Sequence, residues 1–310
     1  MILGSGKTTL ISLLTSDHPQ AYSLPMKIFG RSRLPSPGQP GLSVFDLQSR
    51  IGHSSPEVHT YFPKHFNIRQ TIESAWAEAF HSKPIVTWKD DEKVDHALRW
   101  FRKELDPSFA TEPDPLDHIF RVKVNHTALM RSLQRKREGK AYVKHGHIPH
   151  FEQWYEEESR WADLTKFSEL SLSAQRVALF IRAVIKKPDI VVLDEAFSGM
   201  DELSRRKCLM WLAHGDLKWL QAPYQWSVMQ EPKIDTGLDE VGLSRVSGLE
   251  PRQALICISH REEELPFVVD NWLRLPEANE GKPVVFGKID KSQRDWWARD
   301  WWSEIWTKEA

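Results

Sequence analysis

KKPDIVVLDEAFSGMD, residues 186–201, decides the fold. A turn at Lys187-Pro188-Asp189 leads into Ile190-Val191-Val192-Leu193, a short β-branched run of the kind buried on both faces in a parallel sheet. Two carboxylates, Asp194 and Glu195, follow at the carboxyl end of that strand, where ligands sit in an open α/β sheet. Asp194 is placed to hold a divalent cation, directly or through water. Glu195 points to the opposite side and can polarise an attacking water. Taken alone, an Asp-Glu pair also serves to cap the next helix. The chemical reading therefore needs a second half of the site elsewhere in the chain.

MILGSGKTTL, residues 1–10, supplies it. Counting back from Lys7, the stretch fits a phosphate-binding Walker A loop, with Met1 standing where the leading glycine belongs. Gly4 and Gly6 let backbone N–H groups turn toward a β-phosphate, Lys7 reaches the β- and γ-phosphates, and Thr8 offers a hydroxyl to Mg²⁺. The run TTLISLLT then forms a helix whose N-terminal dipole faces the phosphates. Gly4, Ser5, Gly6, Lys7, Thr8 and Thr9 are thus the nucleotide-binding candidates, and Thr8 and Asp194 the metal ligands. ATP and Mg²⁺ are the expected ligands. The strand that normally precedes such a loop is missing from the sequence, and with it the aromatic that stacks on adenine. We therefore expect Met1 to be a truncation point with the first core strand absent.

The segment SELSLSAQRVALFIRAVIKKPDIVVLDEAFSGMD, residues 168–201, resembles the signature-to-Walker-B segment of an ABC-type ATPase. Where that family carries Leu-Ser-Gly-Gly-Gln, this chain has Leu170-Ser171-Leu172-Ser173-Ala174. The resemblance implies that Ser171 reaches, across a dimer, the γ-phosphate bound by an opposing subunit. A register one residue along makes Ser173 the donor instead. Leu172 and Ser173 in place of glycines restrict close approach to a phosphate. Asp201, in SGMD, resembles the family's D-loop aspartate, which crosses the dimer interface. His260, at the C-terminal edge of the apolar strand Ala254–His260, resembles the switch histidine that contacts the γ-phosphate and orients the catalytic water. Glu195 and His260 are then the catalytic pair.

Residues 29–63, FGRSRLPSPGQPGLSVFDLQSRIGHSSPEVHTYFP, resemble more narrowly the ABC proteins named for molybdate transport or photorepair and their fungal relatives. The glutamine that most of the family uses near Ser55-Pro56-Glu57 is absent. His53, Ser55 and Glu57 are the candidates for its contact. The implied fold is an α/β P-loop NTPase with a parallel-sheet core and an enlarged helical subdomain. Its discontinuous core covers 1–67 and 169–275, its helical subdomain 68–168, and a Trp-rich tail 276–310. Apolar residues three or four apart in RQTIESAWAEAF and VDHALRWFRKEL support helices in the subdomain. A second insertion, turn-rich, precedes His260.

Composition bounds the remaining classes. Of 310 residues, 40% are apolar, enough for a sizeable core. With 42 basic and 43 acidic side chains the formal charge is -1, which speaks against a nucleic-acid or membrane-surface binder. The two cysteines, Cys208 and Cys257, offer no disulfide framework and point to a reducing compartment. No apolar run is long enough to span a bilayer, and no secretory signal is visible. The expected location is intracellular and cytoplasmic, or mitochondrial if a targeting segment precedes Met1. The His-rich stretch Lys144–His150 lacks a ligand pattern and reads as solvated loop, as does the basic run Arg131–Lys140. In the tail, Trp297 and Trp301, and Trp302 and Trp306, form two rows on one helix that pack back on the domain or dock a partner.

The reading is an ATP-binding and ATP-hydrolysing module without membrane spans. It works as a homodimer or with a second ABC half, and either energises a separate membrane protein or acts as an ATP-driven switch. The alternative is a degenerate nucleotide-binding module without turnover.

Overall fold

The computed structural model describes residues 6–15, 18–77, 82–109, 159–215, 246–266, 268–276, 283–289, 303 and 305. Gly4 and Ser5 lie outside the described residues. So do the His-rich and basic stretches, most of the second insertion and all five tryptophans of the tail.

The centre is a parallel sheet of β3 (Ile51–Ser54), β4 (Ile190–Asp194) and β5 (Ala254–Ile258), in the order β3-β4-β5. Val191 and Leu193 are fully buried in β4, as their β-branched and apolar character dictates. The register places Gly52 opposite Val191 and Asp194 opposite Ile258. The Lys187-Pro188-Asp189 turn is realised with Lys187 at a φ of 57°. Its Lys187 ammonium donates to the Ser247 and Gly248 carbonyls, and Arg50 pairs with Asp189.

Against this sheet lies one long helix. It is α8 in a chain order of α1 (Lys7–Thr15), α2 (Val44–Arg50), α3 (Pro56–Tyr61), α4 (Ile68–Glu73), α5 (Trp88–Trp100), α6 (Arg102–Leu105), α7 (Trp161–Leu164), α8 (Leu172–Ile185) and α9 (Glu202–His214). From Val177 to Ile181 every residue of α8 is buried, and so are Ala183 to Ile185. A helix buried all round sits between layers. One side packs on β3 and β4, the other on α4, α5, α6 and α9. Close approach to the sheet depends on Gly52, where a Cβ would lie 1.8 Å from the Ala183 carbonyl oxygen.

The helical layer is α4 to α7, with α9 beside it. Trp211 of α9 stacks obliquely on Trp100 and Phe101, centroids 5.7 and 5.4 Å away. Arg69 of α4 gathers the layer through ion pairs to Asp91 and Asp95 of α5 and Asp163 of α7, and donates to Ser159.

A second, smaller core joins α1 to the sheet. Ile28, Leu42 and Leu47 form it, with Leu14 of α1, Ile51 and Ile190 packed around them. Ile28 belongs to a two-residue hairpin, β1 (Lys27–Ile28) and β2 (Arg31–Ser32). Phe29 and Gly30 turn it with φ of 53° and 75°, the left-handed pair that matches strand twist in two-residue turns. Arg33, buried beside it, donates from Nη2 to the Leu13 and Leu14 carbonyls and so caps the C-terminus of α1. A further hairpin pairs β6 (Asn271–Arg274) with β7 (Val285–Lys288), so the stretch 276–310 contributes a strand, and Arg274 Nη1 donates to the Ile305 carbonyl at 2.6 Å.

No described helix is long and apolar enough to cross a membrane. Cys208 and Cys257 are free thiols.

Candidate active site

Three chain segments meet at the carboxyl ends of β4 and β5. Gly6, at a φ of 76°, makes the turn into α1, and its carbonyl accepts from the Leu10 amide at 2.9 Å. That positive φ is the reason a glycine stands there. Lys7 opens the helix and is half-buried, while Thr8 and Thr9 are exposed in its first turn. The first turn of a helix leaves its N–H groups without intrahelical acceptors, and their partial positive charge suits an anion.

Asp194 closes β4 and Glu195 follows at a φ of 46°. That left-handed conformation in a non-glycine residue costs energy and turns the chain out of the sheet. It is held by two backbone bonds: the Glu195 amide donates to the Ile258 carbonyl at 2.9 Å, and its carbonyl accepts from the Ser198 amide at 3.1 Å. His260 follows β5. Its Nε2 lies 3.0 Å from Glu195 Oε1 and 3.3 Å from Lys7 Nζ. One ring nitrogen thus serves both a carboxylate and an ammonium. With a proton on Nε2 it donates to Glu195; without one it accepts from Lys7. The Glu195 and His260 side chains are 37% and 55% exposed, so solvent screens this pair and a charged ligand can displace it.

Asp194 sits deeper. Burial, then the neighbouring Glu195 and Glu57 charges, push its carboxyl up to about 6, against the opposing pull of Lys7 and His260. Among the described residues no three His, Cys, Asp or Glu side chains gather closely enough to hold a metal ion, so a divalent cation at Asp194 would need phosphate oxygens and water to complete its shell. Glu57, in the first turn of α3, is the member of the His53, Ser55 and Glu57 trio whose charge reaches Asp194. Ser55 serves the backbone instead, its Oγ capping α3 by accepting from the Val58 amide at 3.2 Å. His53 lies within β3, opposite Val192.

The signature segment forms the N-terminus of α8. Ser171 is its N-cap, exposed, accepting from the Ala174 amide at 3.2 Å. Ser173 turns to Asp201, with its Oγ 2.6 Å from Oδ2. Asp201 is the N-cap of α9, and its carboxylate is engaged within its own chain. Hydrogen bonds from Ser173 and Ser204 hold that carboxyl below the usual range against the opposing effect of burial, which is the largest single influence on it.

Two contacts escape a motif-by-motif reading. Gln175, one position beyond the end of the signature, donates from Nε2 to the Leu170 carbonyl and meets His59 Nε2 at 2.8 Å, joining α8 to α3. Arg176 brings its guanidinium into the field of Glu195, and its Nε and Nη1 are buried without a hydrogen-bond partner among the described residues. Helical spacing puts Arg176 on the face of α8 next to Ser173, three positions back, which is the signal that could have marked it.

No family model matches the chain. It is 27% identical over 282 residues to an uncharacterised ABC transporter ATP-binding protein of Schizosaccharomyces pombe, covering 91% of this chain and 38% of the relative. An uncharacterised ABC transporter ATP-binding protein of Saccharomyces cerevisiae is 30% identical over 218 residues, 66% of this chain and 29% of the relative. The ABC transporter ATP-binding protein ModF of Escherichia coli is 28% identical over 203 residues, again 66% of this chain and 29% of the relative. The chain therefore spans between 29% and 38% of the length of these relatives.

Proposed function

We propose that this chain, which carries an ABC ATPase-like domain with the P-loop NTPase fold its relatives imply, binds Mg·ATP and hydrolyses it. One observation carries the reading. Lys7 and Glu195 converge on a single nitrogen of His260, although Lys7 and His260 are 253 positions apart. An ammonium for the phosphates, a carboxylate for the attacking water and an imidazole between them are the parts phosphoryl transfer needs.

In this reading Lys7 and the amides of residues 4–9 take the β- and γ-phosphates, and Thr8 and Asp194 hold the Mg²⁺. That cation neutralises phosphate charge and lowers the cost of the charge that develops in transfer. The incoming γ-phosphate competes with Glu195 for the Lys7–His260 pair. Glu195 then accepts a proton from water at its carboxylate, while His260 donates to a γ-phosphate oxygen. Ser171 stands ready at an exposed helix N-terminus to meet a nucleotide held by a homodimeric or second ABC partner. Coupling to a separate membrane protein and an intracellular location belong to the same proposal.

The test is steady-state ATPase on the wild-type chain and Glu195→Gln. We expect kcat to fall by about 10²–10³ with ATP binding retained, the size of effect a general base supplies. Equal rates would remove Glu195 from the mechanism. A second reading, nucleotide binding without turnover, draws on the Ser173–Asp201 contact, which ties the signature to its own chain. It predicts ATP binding by the wild-type protein, lost in Lys7→Ala, with no phosphate release from either.

A further inference from the structure

Asp201 begins α9 in an unusual way. Its Oδ1 accepts from the Ser204 amide at 2.9 Å, and its Oδ2 from the Ser204 hydroxyl at 2.6 Å. In a capping box the side chain three residues along would reach back to the N-cap amide. Here Ser204 turns to the carboxylate instead, and the Asp201 amide is satisfied by Ser173, whose Oγ accepts from it at 3.1 Å. The same hydroxyl donates to Asp201 Oδ2 at 2.6 Å. A residue 28 positions upstream thus closes a reciprocal clip. Leu172 packs over the same junction: a Cβ on Gly199, whose φ is 78°, would lie 3.4 Å from Leu172 Cδ2. The turn fastened in this way starts at Glu195, whose carbonyl holds the Ser198 amide.

We propose that Ser173 is a positioning residue that, through Asp201, fixes the turn from Glu195 to Asp201 and so keeps the Glu195 carboxylate directed at His260. Its effect on turnover rests on the ATPase reading above; its effect on the turn does not. A hydroxyl that both accepts from an amide and donates to a carboxylate is worth more than a neutral bond, and at this exposed junction its loss hands the N-cap amide to water and frees the turn.

The experiment compares the wild-type chain with S173A, S173T and Asp201→Asn. Hydrogen exchange is followed across residues 196–201, the His260 ring signals by NMR, and ATPase kinetics in parallel. In S173A we expect exchange in 196–201 to speed up about tenfold or more. The His260 signals should move, because its contact with Glu195 loosens, and kcat should fall about tenfold at nearly constant KM, since Lys7 and Thr8 are untouched. S173T, which keeps the hydroxyl, restores all three, and Asp201→Asn shifts them in the same direction by less. Unchanged exchange or unchanged His260 signals in folded S173A overturns the proposal. So does faster exchange with undiminished kcat in an active protein. If the wild-type chain turns over no ATP, the ATPase reading falls by itself, and exchange and the His260 signals still decide the role of Ser173.

Discussion

Asp194 is the residue at which chemistry and stability pull against each other. Its carboxyl is pushed up to about 6 by burial and by the Glu195 and Glu57 charges, whereas the same group in the unfolded chain titrates near 4. Between these values the unfolded state gives up its proton first, so folding stability falls as pH rises from about 4 to 6 and stays reduced above. The group is only partly buried, and solvent screening reduces the effect to on the order of 1 kcal/mol. Asp194→Asn should therefore raise the melting temperature by roughly 2–4 °C at pH 7.5. The gain should shrink toward zero as pH drops to 4.5, read by differential scanning calorimetry without nucleotide. A gain that is flat with pH, or a loss at pH 7.5, would remove the electrostatic account. The candidate role of Asp194 was legible in the sequence because a carboxylate after an apolar run is a local pattern. Its raised pKa was not, because burial, its largest cause, and the added charge of Glu57 come into being only once the sheet has assembled.

At the level of elements, β3 shows what sequence patterning misses. β4 and β5 are announced by unbroken apolar runs, although the observed β4 takes in Asp194 beyond its run and β5 ends at Ile258, two residues before His260. β3 is four residues, Ile-Gly-His-Ser, with a glycine and two polar side chains, and reads as a motif rather than as a strand. Its glycine is explained by what packs over it: a Cβ at Gly52 would meet the Ala183 carbonyl oxygen of α8 at 1.8 Å, Pro188 Cγ at 2.7 Å and the Ala183 carbonyl carbon at 2.9 Å. Backbone cannot yield as a side-chain tip can. Gly52→Ala should thus destabilise by about 3 kcal/mol, at the upper end of overpacking effects, in urea unfolding. It should also lower the affinity for ATP, since moving α8 displaces Ser171 and the Glu195 turn with it. A variant of wild-type stability would mean that α8 has room to shift along the sheet. The β1–β2 hairpin escaped notice for a related reason, because the first residue of its turn, Phe29, stands at positive φ without being a glycine, and only Gly30 after it carries the turn signal. By contrast Ser43 and Asp46 of α2 form a complete capping box that the pattern Ser-x-x-Asp spells out.

Across the whole molecule, the helical layer and the sheet must share one core, and α9 is where they are joined. The sequence spacing marks α5, yet nothing local links it to α9, whose Trp211 packs on Trp100 and Phe101. Beside these rings lies an ion pair between Lys207 of α9 and Glu104 of α6, Nζ to Oε2 at 2.9 Å, with the side chains 4% and 9% exposed. Contacts 103 positions apart carry no periodic signature, which is why such pairs are invisible until the chain is folded. Two charges withdrawn from water attract strongly, but their lost hydration offsets most of the gain. Removing one partner is different, because it leaves the other buried and uncompensated. Lys207→Met should therefore cost about 3–5 kcal/mol in urea unfolding, while Lys207→Met combined with Glu104→Leu should come within about 1 kcal/mol of wild type. If the double variant is as unstable as the single one, the junction depends on the pair itself, and α9 is positioned by charge rather than by its aromatic packing. If it recovers, the aromatic packing suffices to orient α9. Asp201 at the start of that helix then inherits its position from the core, and the Ser173 clip fixes only the last few ångströms of the turn that carries Glu195.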